Sequence, residues 1–266
     1  MSDDEVFTLI ACLFLAVWGW KQWVGGLLVF EPPSRRGVTQ VLGWLLLPPL
    51  AGAAMLFVLL RWSSSDVRNS GIYIMFYLLM WIAWTGLWNQ IMPFFGISCR
   101  DDAFERNNSA AELAIGGGLL GVTFIFAGSN IGEGPGWWVV VFCATLATAS
   151  LLLLWMVGNQ MTRVAEDITV DRDISAGWRT AGFFIGAGLI LGRAVAGDWH
   201  SADATVVDFL QKGAPVLIVW ATEVALDQIM GPTPKRPAPD KFLCGFLPFL
   251  ILVGAGVGDV FLQGPW

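Results

Sequence analysis

Charged residues inside long apolar stretches are the side chains of this sequence best suited to chemistry. Glu223 and Asp227 are spaced i, i+4, which places both carboxyls on one face of a helix. Glu112 and Arg179 each lie about one turn inside an apolar segment, and Asp259 is the single charge of the last segment. A charge at the centre of a bilayer costs about 2.5–3.5 kcal/mol. Such residues therefore point to ion pairing or to the handling of protons or cations.

Two hypotheses follow from these charges. Glu112 and Arg179 align at an offset of 67 residues and would share one depth in the membrane, so the sequence predicts an ion pair between them. Glu223 and Asp227 fit a proton- or cation-handling site. The alternative for them is a helix end that already emerges into the cytoplasm, and this alternative is favoured for Asp227 because Glu223 lies deeper.

A polar loop between two apolar stretches is a weak candidate for a metal site. It contains Asp198, His200 and Asp203, with Asp208 and Glu133 as further oxygen donors. Oxygen ligands suit Ca²⁺ or Mg²⁺, and a His nitrogen would suit Zn²⁺. The alternative is a solvated acidic loop without a ligand.

Glycines at helical spacing favour helix packing over nucleotide binding. The segment Gly116–Gly121 matches the dinucleotide pattern G-x-G-x-x-G, but it lies within an uncharged apolar stretch and lacks the strand that this fingerprint requires. Close helix contact is the better interpretation. Its expected packing positions are Gly117 and Gly121, echoed by Gly182 and Gly186.

An enzyme is not expected. No Ser-His-Asp or Cys-His arrangement, nucleotide loop or C-x-x-C pair is present, and the four cysteines lie singly in or beside apolar stretches. The sequence therefore predicts no catalytic residue and no cofactor other than bound lipid.

Composition identifies the elements that hold these residues as membrane helices. Hydrophobic residues make up 56% of the 266 residues and charged residues only 14%, with a mean hydropathy of +0.65. A soluble domain carries about 25% charge, so neither a soluble enzyme nor a disordered chain is expected. The net charge of −6 argues against nucleic-acid binding. The fifteen Trp concentrate near the ends of the apolar stretches, as interface anchors do.

The expected fold is an all-α integral membrane protein with about eight transmembrane helices. Each predicted span approaches the roughly 20 residues needed to cross a bilayer: Val6–Phe30, Val41–Leu60, Ser70–Cys99, Leu113–Gly132, Gly134–Thr162, Ala176–Gly197, Val206–Met230 and Phe242–Leu262. The seventh is the weakest. These spans group into three N-terminal helices (1–105), a duplicated two-helix unit (106–230), and a cytoplasmic loop with a last helix (231–266).

Lysine and arginine predict the orientation of these spans. One set of connecting loops holds nine of them and the other set, with the adjoining helix ends, four. The positive-inside rule places the first set in the cytoplasm and both termini outside. Arg35, Arg36, Arg100, Arg106, Arg163, Arg172, Lys235, Arg236 and Lys241 form the first set.

An internal repeat relates the fourth and fifth spans to the sixth and seventh. Gly117 and Gly121 recur as Gly182 and Gly186 at an offset of 65 residues, and both units begin on the cytoplasmic side, which makes the repeat parallel. The polar start Asn107-Asn108-Ser109-Ala110-Ala111 and the Gly-Leu-Leu-Gly at Gly118–Gly121 resemble the YjfL-type family of bacterial inner-membrane proteins of unknown function. The resemblance covers about 106–230 and implies a bacterial inner-membrane location.

Two functions remain open at this stage. The first is a structural or assembly-forming membrane subunit that contacts lipid and either other subunits or further copies of itself, as the short loops and glycine-lined helices indicate. The second is an ion- or proton-conducting channel or transporter that uses Glu223, Glu112 and Arg179. A membrane-embedded enzyme is a distant third.

Overall fold

The computed structural model describes residues 2–28, 38–233 and 240–264. This part of the chain is a helical bundle. Its α-helices are α1 (Asp3–Leu28), α2 (Val38–Arg61), α3 (Ser65–Arg68), α4 (Gly71–Ile91), α5 (Ser109–Gly128), α6 (Trp137–Thr162), α7 (Val164–Thr169), α8 (Ile174–Ala194), α9 (Ala202–Gly213), α10 (Val216–Met230) and α11 (Leu247–Leu262). A 3₁₀ turn (Met92–Phe95) and two π-helical segments (Cys99–Glu105 and Phe242–Phe246) complete it.

Within the described ranges, seven helices are long and apolar enough to cross a membrane, and an eighth span is broken. The broken span consists of α9 and α10, which meet at an angle of 45°. Pro215 lies in this break, where its ring and its missing N–H oppose a continuous helix. The prediction of an all-α membrane bundle of about eight spans is confirmed, and its weakest span is the bent one.

Side-chain caps explain where the central helices begin. Asn108 accepts hydrogen bonds from the backbone N–H groups of Ala110 and Ala111, and Asp173 accepts them from Ser175 and Ala176. Both caps satisfy N–H groups that a first helical turn leaves without a partner. The polar start at Asn107–Ala111 noted in the sequence therefore coincides with the start of α5, and Asp173 plays the same part for α8.

The centre of the bundle is the contact between α5 and α8. A Cβ on Gly121 would lie 2.2 Å from the Phe184 carbonyl oxygen, and one on Gly128 would lie 2.1 Å from the Gly192 oxygen. Gly177 meets Ala110 near the start of the two helices. Contacts at the start, the middle and the end occur in the same order along both helices, so α5 and α8 run parallel with their backbones touching.

The glycines of the sequence repeat have different neighbours. Gly117 and Gly121 of α5 lie against α8, at Ala181 and Phe184. Gly182 and Gly186 instead lie against α11, where a Cβ on Gly186 would lie 2.4 Å from the Leu252 oxygen. Helix α8 therefore uses two glycine faces, one for α5 and one for α11.

Both chain ends lie at one end of the bundle, here called the N-terminal end. Trp137 at the start of α6 donates a hydrogen bond to Asp4 (3.0 Å). Gln263, just after α11, donates to the carbonyl oxygen of Lys212 (3.1 Å). The loop between α7 and α8 lies at the opposite end. Four of the nine basic residues behind the predicted orientation, Arg35, Arg36, Lys235 and Arg236, lie outside the described residues.

Candidate functional site

A buried charge cluster lies near the opposite end of the bundle, where α8, α10 and the π-helical segment before α11 meet. The Arg179 side chain is completely buried. Its Nε donates to Asp227 Oδ1 at 2.5 Å, and its Nη1 donates to the Cys244 carbonyl oxygen at 2.5 Å. Its Nη2 lies 3.9 Å from Asp173 Oδ2. The guanidinium thus joins α8 to α10 and to the π-helical segment Phe242–Phe246 that precedes α11.

The Glu223 carboxyl extends this cluster one turn further along α10. Glu223 is 2% exposed and Asp227 is 5% exposed. Their i, i+4 spacing places the two carboxyl groups side by side on one face of α10. Two carboxylates side by side in a buried position repel each other, so the pair is suited to hold a proton. The arrangement is a buried carboxyl pair held by one arginine.

Several polar atoms around the cluster have no hydrogen-bond partner within the described part of the protein. They are Arg179 Nη2, Glu223 Oε1, Asp227 Oδ2, Ser175 Oγ and Thr180 Oγ1. A buried polar atom without a partner costs about 1–3 kcal/mol, so native structures seldom leave several together. The cluster therefore has unused capacity to bind water, a proton or a small ion.

Asp167 links the cluster to solvent. It belongs to α7, outside the membrane-spanning helices, and its side chain is half-buried. Partial burial and, to a smaller extent, the nearby carboxylates of Asp227, Asp171 and Asp173 together raise the pKa of Asp167 to about 6, against the opposing effect of Arg179. Asp167 can thus exchange a proton with water near neutral pH.

The predicted ion pair between Glu112 and Arg179 is wrong. The carboxylates near Arg179 are Asp227 and Asp173. Glu112 lies on the side of α5 that faces α2, four residues before Gly116, which approaches Leu47. Matching depth in the membrane does not determine the direction in which a side chain leaves its helix. That direction separates Glu112 from Arg179.

The remaining residues singled out from the sequence lie at the N-terminal end. Asp198 Oδ1 accepts a hydrogen bond from the Glu133 N–H (2.8 Å), and His200 Nδ1 lies 3.1 Å from the Asp198 carbonyl oxygen. Asp259 accepts from Gln263 at 2.6 Å. Among the described residues no group of three or more His, Cys, Asp and Glu is arranged to hold a metal ion. The geometry therefore does not support a metal at Asp198, His200 and Asp203.

Sequence reasoning missed three members of the charge cluster. Asp173 was visible only as a polar residue before a helix, and its carboxylate both caps α8 and approaches Arg179. Asp167 belongs to a short loop helix with no pattern of its own. The Cys244 carbonyl is a backbone group inside a π-helical segment, and no sequence signal marks it.

The fold and the buried charges define a polytopic helical membrane protein. A family model described as Domain of Unknown Function (DUF350) matches residues 61–195, and the chain belongs to this family. The match includes α4, α5, α6 and α8, and therefore the Arg179 end of the charge cluster. No curated protein and no solved structure shows significant similarity to the chain.

Proposed function

We propose that this protein moves protons or a small cation across a membrane by way of the Glu223–Asp227 carboxyl pair. The observation that carries the proposal is the burial of these two carboxyls on one face of α10, with Arg179 bound to Asp227. Intramembrane ionisable residues are costly and are typically retained for ion or proton pathways. Glu112, the third residue of the sequence hypothesis, is not part of this pathway.

The route at the opposite end runs from solvent to the pair. Asp167 lies beside Gly231 and approaches Asp227, and Arg179 lies between Asp173 and Asp227. A proton taken up by Asp167 could pass to Asp227 and from there to Glu223, one turn away on α10. This chain of acids supports exchange between the pair and the solvent at that end.

A carrier fits the bundle better than an open pore. Phe183 and Phe184 of α8 are fully buried between the charge cluster and the N-terminal end. Helix α8 also makes close backbone contacts with α5 on one face and with α11 on the other. Transfer would therefore require a helix to move, and the break between α9 and α10 supplies a hinge on the helix that carries both carboxyls.

Proton flux in proteoliposomes tests this function. The full chain is reconstituted with an internal pH-sensitive dye, and a potassium gradient with valinomycin imposes a membrane potential. We expect flux above that of protein-free vesicles, and at least a tenfold loss in Glu223→Gln, which keeps the side-chain size and removes the acid. Glu166→Gln is the matched control, because Glu166 is an exposed acid that pairs with Arg163 outside the cluster. Equal flux in wild type and Glu223→Gln, for protons and for Na⁺ or K⁺, would refute the proposal.

A structural or assembly role is the second candidate, and one face of α11 favours it. A Cβ on Gly254 or Gly258 would meet nothing within 4 Å, whereas Gly256 on the other face lies against Gly186. Small residues four apart on an open membrane-helix face favour association with another helix. The partner would be a second copy or another membrane subunit. Native mass spectrometry of the wild type and Gly258→Ile tests this, with a shift of the variant to monomer as the supporting result.

The membrane in question is proposed to be a bacterial inner membrane with both termini outside. This placement rests on the YjfL-type resemblance over 106–230 and on the distribution of lysine and arginine between the loops. The common end of the two termini agrees with an even number of crossings.

A further inference from the structure

A polar cavity of about 260 Å³ lies at the N-terminal end of the bundle, far from the charge cluster. It is lined by α3, the first half of α4, the loops after α5 and α8, the start of α6, and α9. Its volume falls just below the roughly 300–1,000 Å³ typical of drug-sized sites, so it suits a small solute.

Two buried residues at the floor of this cavity each carry an oxygen without a hydrogen-bond partner among the described residues. Tyr77 is 7% exposed and Asn130 is 6% exposed, and both line the cavity. Among hydrogen bonds between described residues, none involves the Tyr77 hydroxyl, and Asn130 uses only its side-chain nitrogen, which donates to the Phe126 oxygen at 2.7 Å. The hydroxyl and the Asn130 Oδ1 therefore remain available to a ligand.

The rim of the cavity is acidic. Four carboxylates line it against one ammonium group: Asp66, Glu133, Asp198, Asp208 and Lys212. Lys212 pairs with Asp208 at 2.9 Å, and within the described part of the chain the other three carboxylates form no ion pair with a basic side chain. Clefts lined by one sign of charge concentrate ligands of the opposite sign. The cavity thus selects cations.

The chemistry favours an ammonium group over a metal ion. No cluster of three or more metal-ligating side chains occurs in the described ranges. Tyr77 and Trp199 add aromatic rings to the wall, and ring faces attract organic cations. The available Asn130 Oδ1 and the Tyr77 oxygen both accept hydrogen bonds from N–H groups.

We propose that this cavity binds a small solute carrying a primary ammonium group, with the charge directed to the floor at Tyr77 and Asn130. The acidic rim draws the cation in, and the two buried acceptors hold it. This site is separate from the Glu223–Asp227 pair and does not rest on the proposed flux function, since binding can be measured without transport.

Ligand-observed NMR titration of the purified full chain in lipid-free detergent micelles tests the charge preference. Three solutes of similar size are compared: ethanolamine as the cation, ethylene glycol as the neutral analogue and glycolate as the anion. We expect ethanolamine to bind at least tenfold more tightly than the other two. Equal affinity for the three, or no binding of ethanolamine, would overturn the proposal.

Two variants of the floor and one matched control locate the site. Tyr77→Phe removes one hydrogen bond to a charged group and should weaken ethanolamine binding about tenfold. Asn130→Asp adds a carboxylate and should tighten it. The control is Tyr73→Phe, the only other tyrosine of the chain, whose hydroxyl donates to Glu5 instead. Equal affinity in Tyr77→Phe and Tyr73→Phe, with both folded by thermal melting, would contradict the site.

The ammonium group has two possible sources, a free amine or a lipid headgroup. The titration is repeated in nanodiscs of phosphatidylethanolamine and of phosphatidylglycerol. Loss of ethanolamine binding only in phosphatidylethanolamine assigns the headgroup, and equal binding in the two nanodiscs assigns a free solute. In both results the cavity remains an ammonium site.

Discussion

The pairing of Arg179 with Asp227 can be measured as a coupling free energy. Arg179→Gln leaves the Asp227 carboxylate and the Cys244 carbonyl without their donor in a fully buried position. Breaking a buried ion pair by removing one partner costs about 3–5 kcal/mol. Asp227→Asn should cost less, because Arg179 keeps the Cys244 carbonyl and a carboxylate of Asp173 at 3.9 Å.

The double variant Arg179→Gln/Asp227→Asn should be little worse than Arg179→Gln alone. Once the arginine is lost, neutralising Asp227 removes a stranded charge, so we expect a coupling energy of about 2–3 kcal/mol. The free energy of unfolding is measured for all four proteins in mixed micelles with increasing dodecyl sulfate, with tryptophan fluorescence as the signal.

A second cycle is the control for this reasoning. Arg179→Gln and Glu112→Gln should be additive within about 0.5 kcal/mol, because the two side chains leave their helices in different directions. Additivity in the Arg179–Asp227 cycle, or coupling above 1 kcal/mol in the Arg179–Glu112 cycle, would refute the assignment of partners.

Three further outcomes are expected. Gly121→Ala should destabilise the protein by about 1–3 kcal/mol, because its Cβ would lie 2.2 Å from a carbonyl oxygen of α8. Gly258→Ala, on an open face of α11, should be neutral or slightly stabilising. Equal melting temperatures of the two variants would contradict this expectation. Asp167 has a pKa raised to about 6, so its contribution to stability is full below about pH 4 and is lost as the pH rises through 6. Asp167→Asn should therefore flatten the change in melting temperature between pH 4 and 7, whereas Glu166→Gln should leave it unchanged. A cysteine placed at Arg172, in a cysteine-free background, should resist an impermeant thiol reagent added to intact cells, and labelling from outside would reverse the topology.

Hydropathy and local patterns were sufficient to predict the membrane-spanning helices of this bundle. The spans follow from sequence because about 20 apolar residues must be helical in a bilayer, where the backbone has no other hydrogen-bond partners. The polar start at Asn108 was recognisable in the sequence, because capping involves only residues two or three positions apart. The bend at Pro215 coincides with the span that was weakest by composition.

The partners across helices were decided by the tertiary structure. Sequence places Glu112 and Arg179 at one depth, but rotation about each helix axis turns one towards α2 and the other towards α10. The same rotation directs Gly182 towards α11 instead of α5.

The two candidate sites depend on residues from distant parts of the chain. The charge cluster joins Asp167, Arg179 and Asp227, and the cavity joins Tyr77 to Asn130 and Asp198. Local sequence carries the tendency of each segment to form a helix and to enter a membrane. It does not carry the rotation and packing of one helix against another, because these depend on side chains far apart in sequence that meet only in the folded bundle.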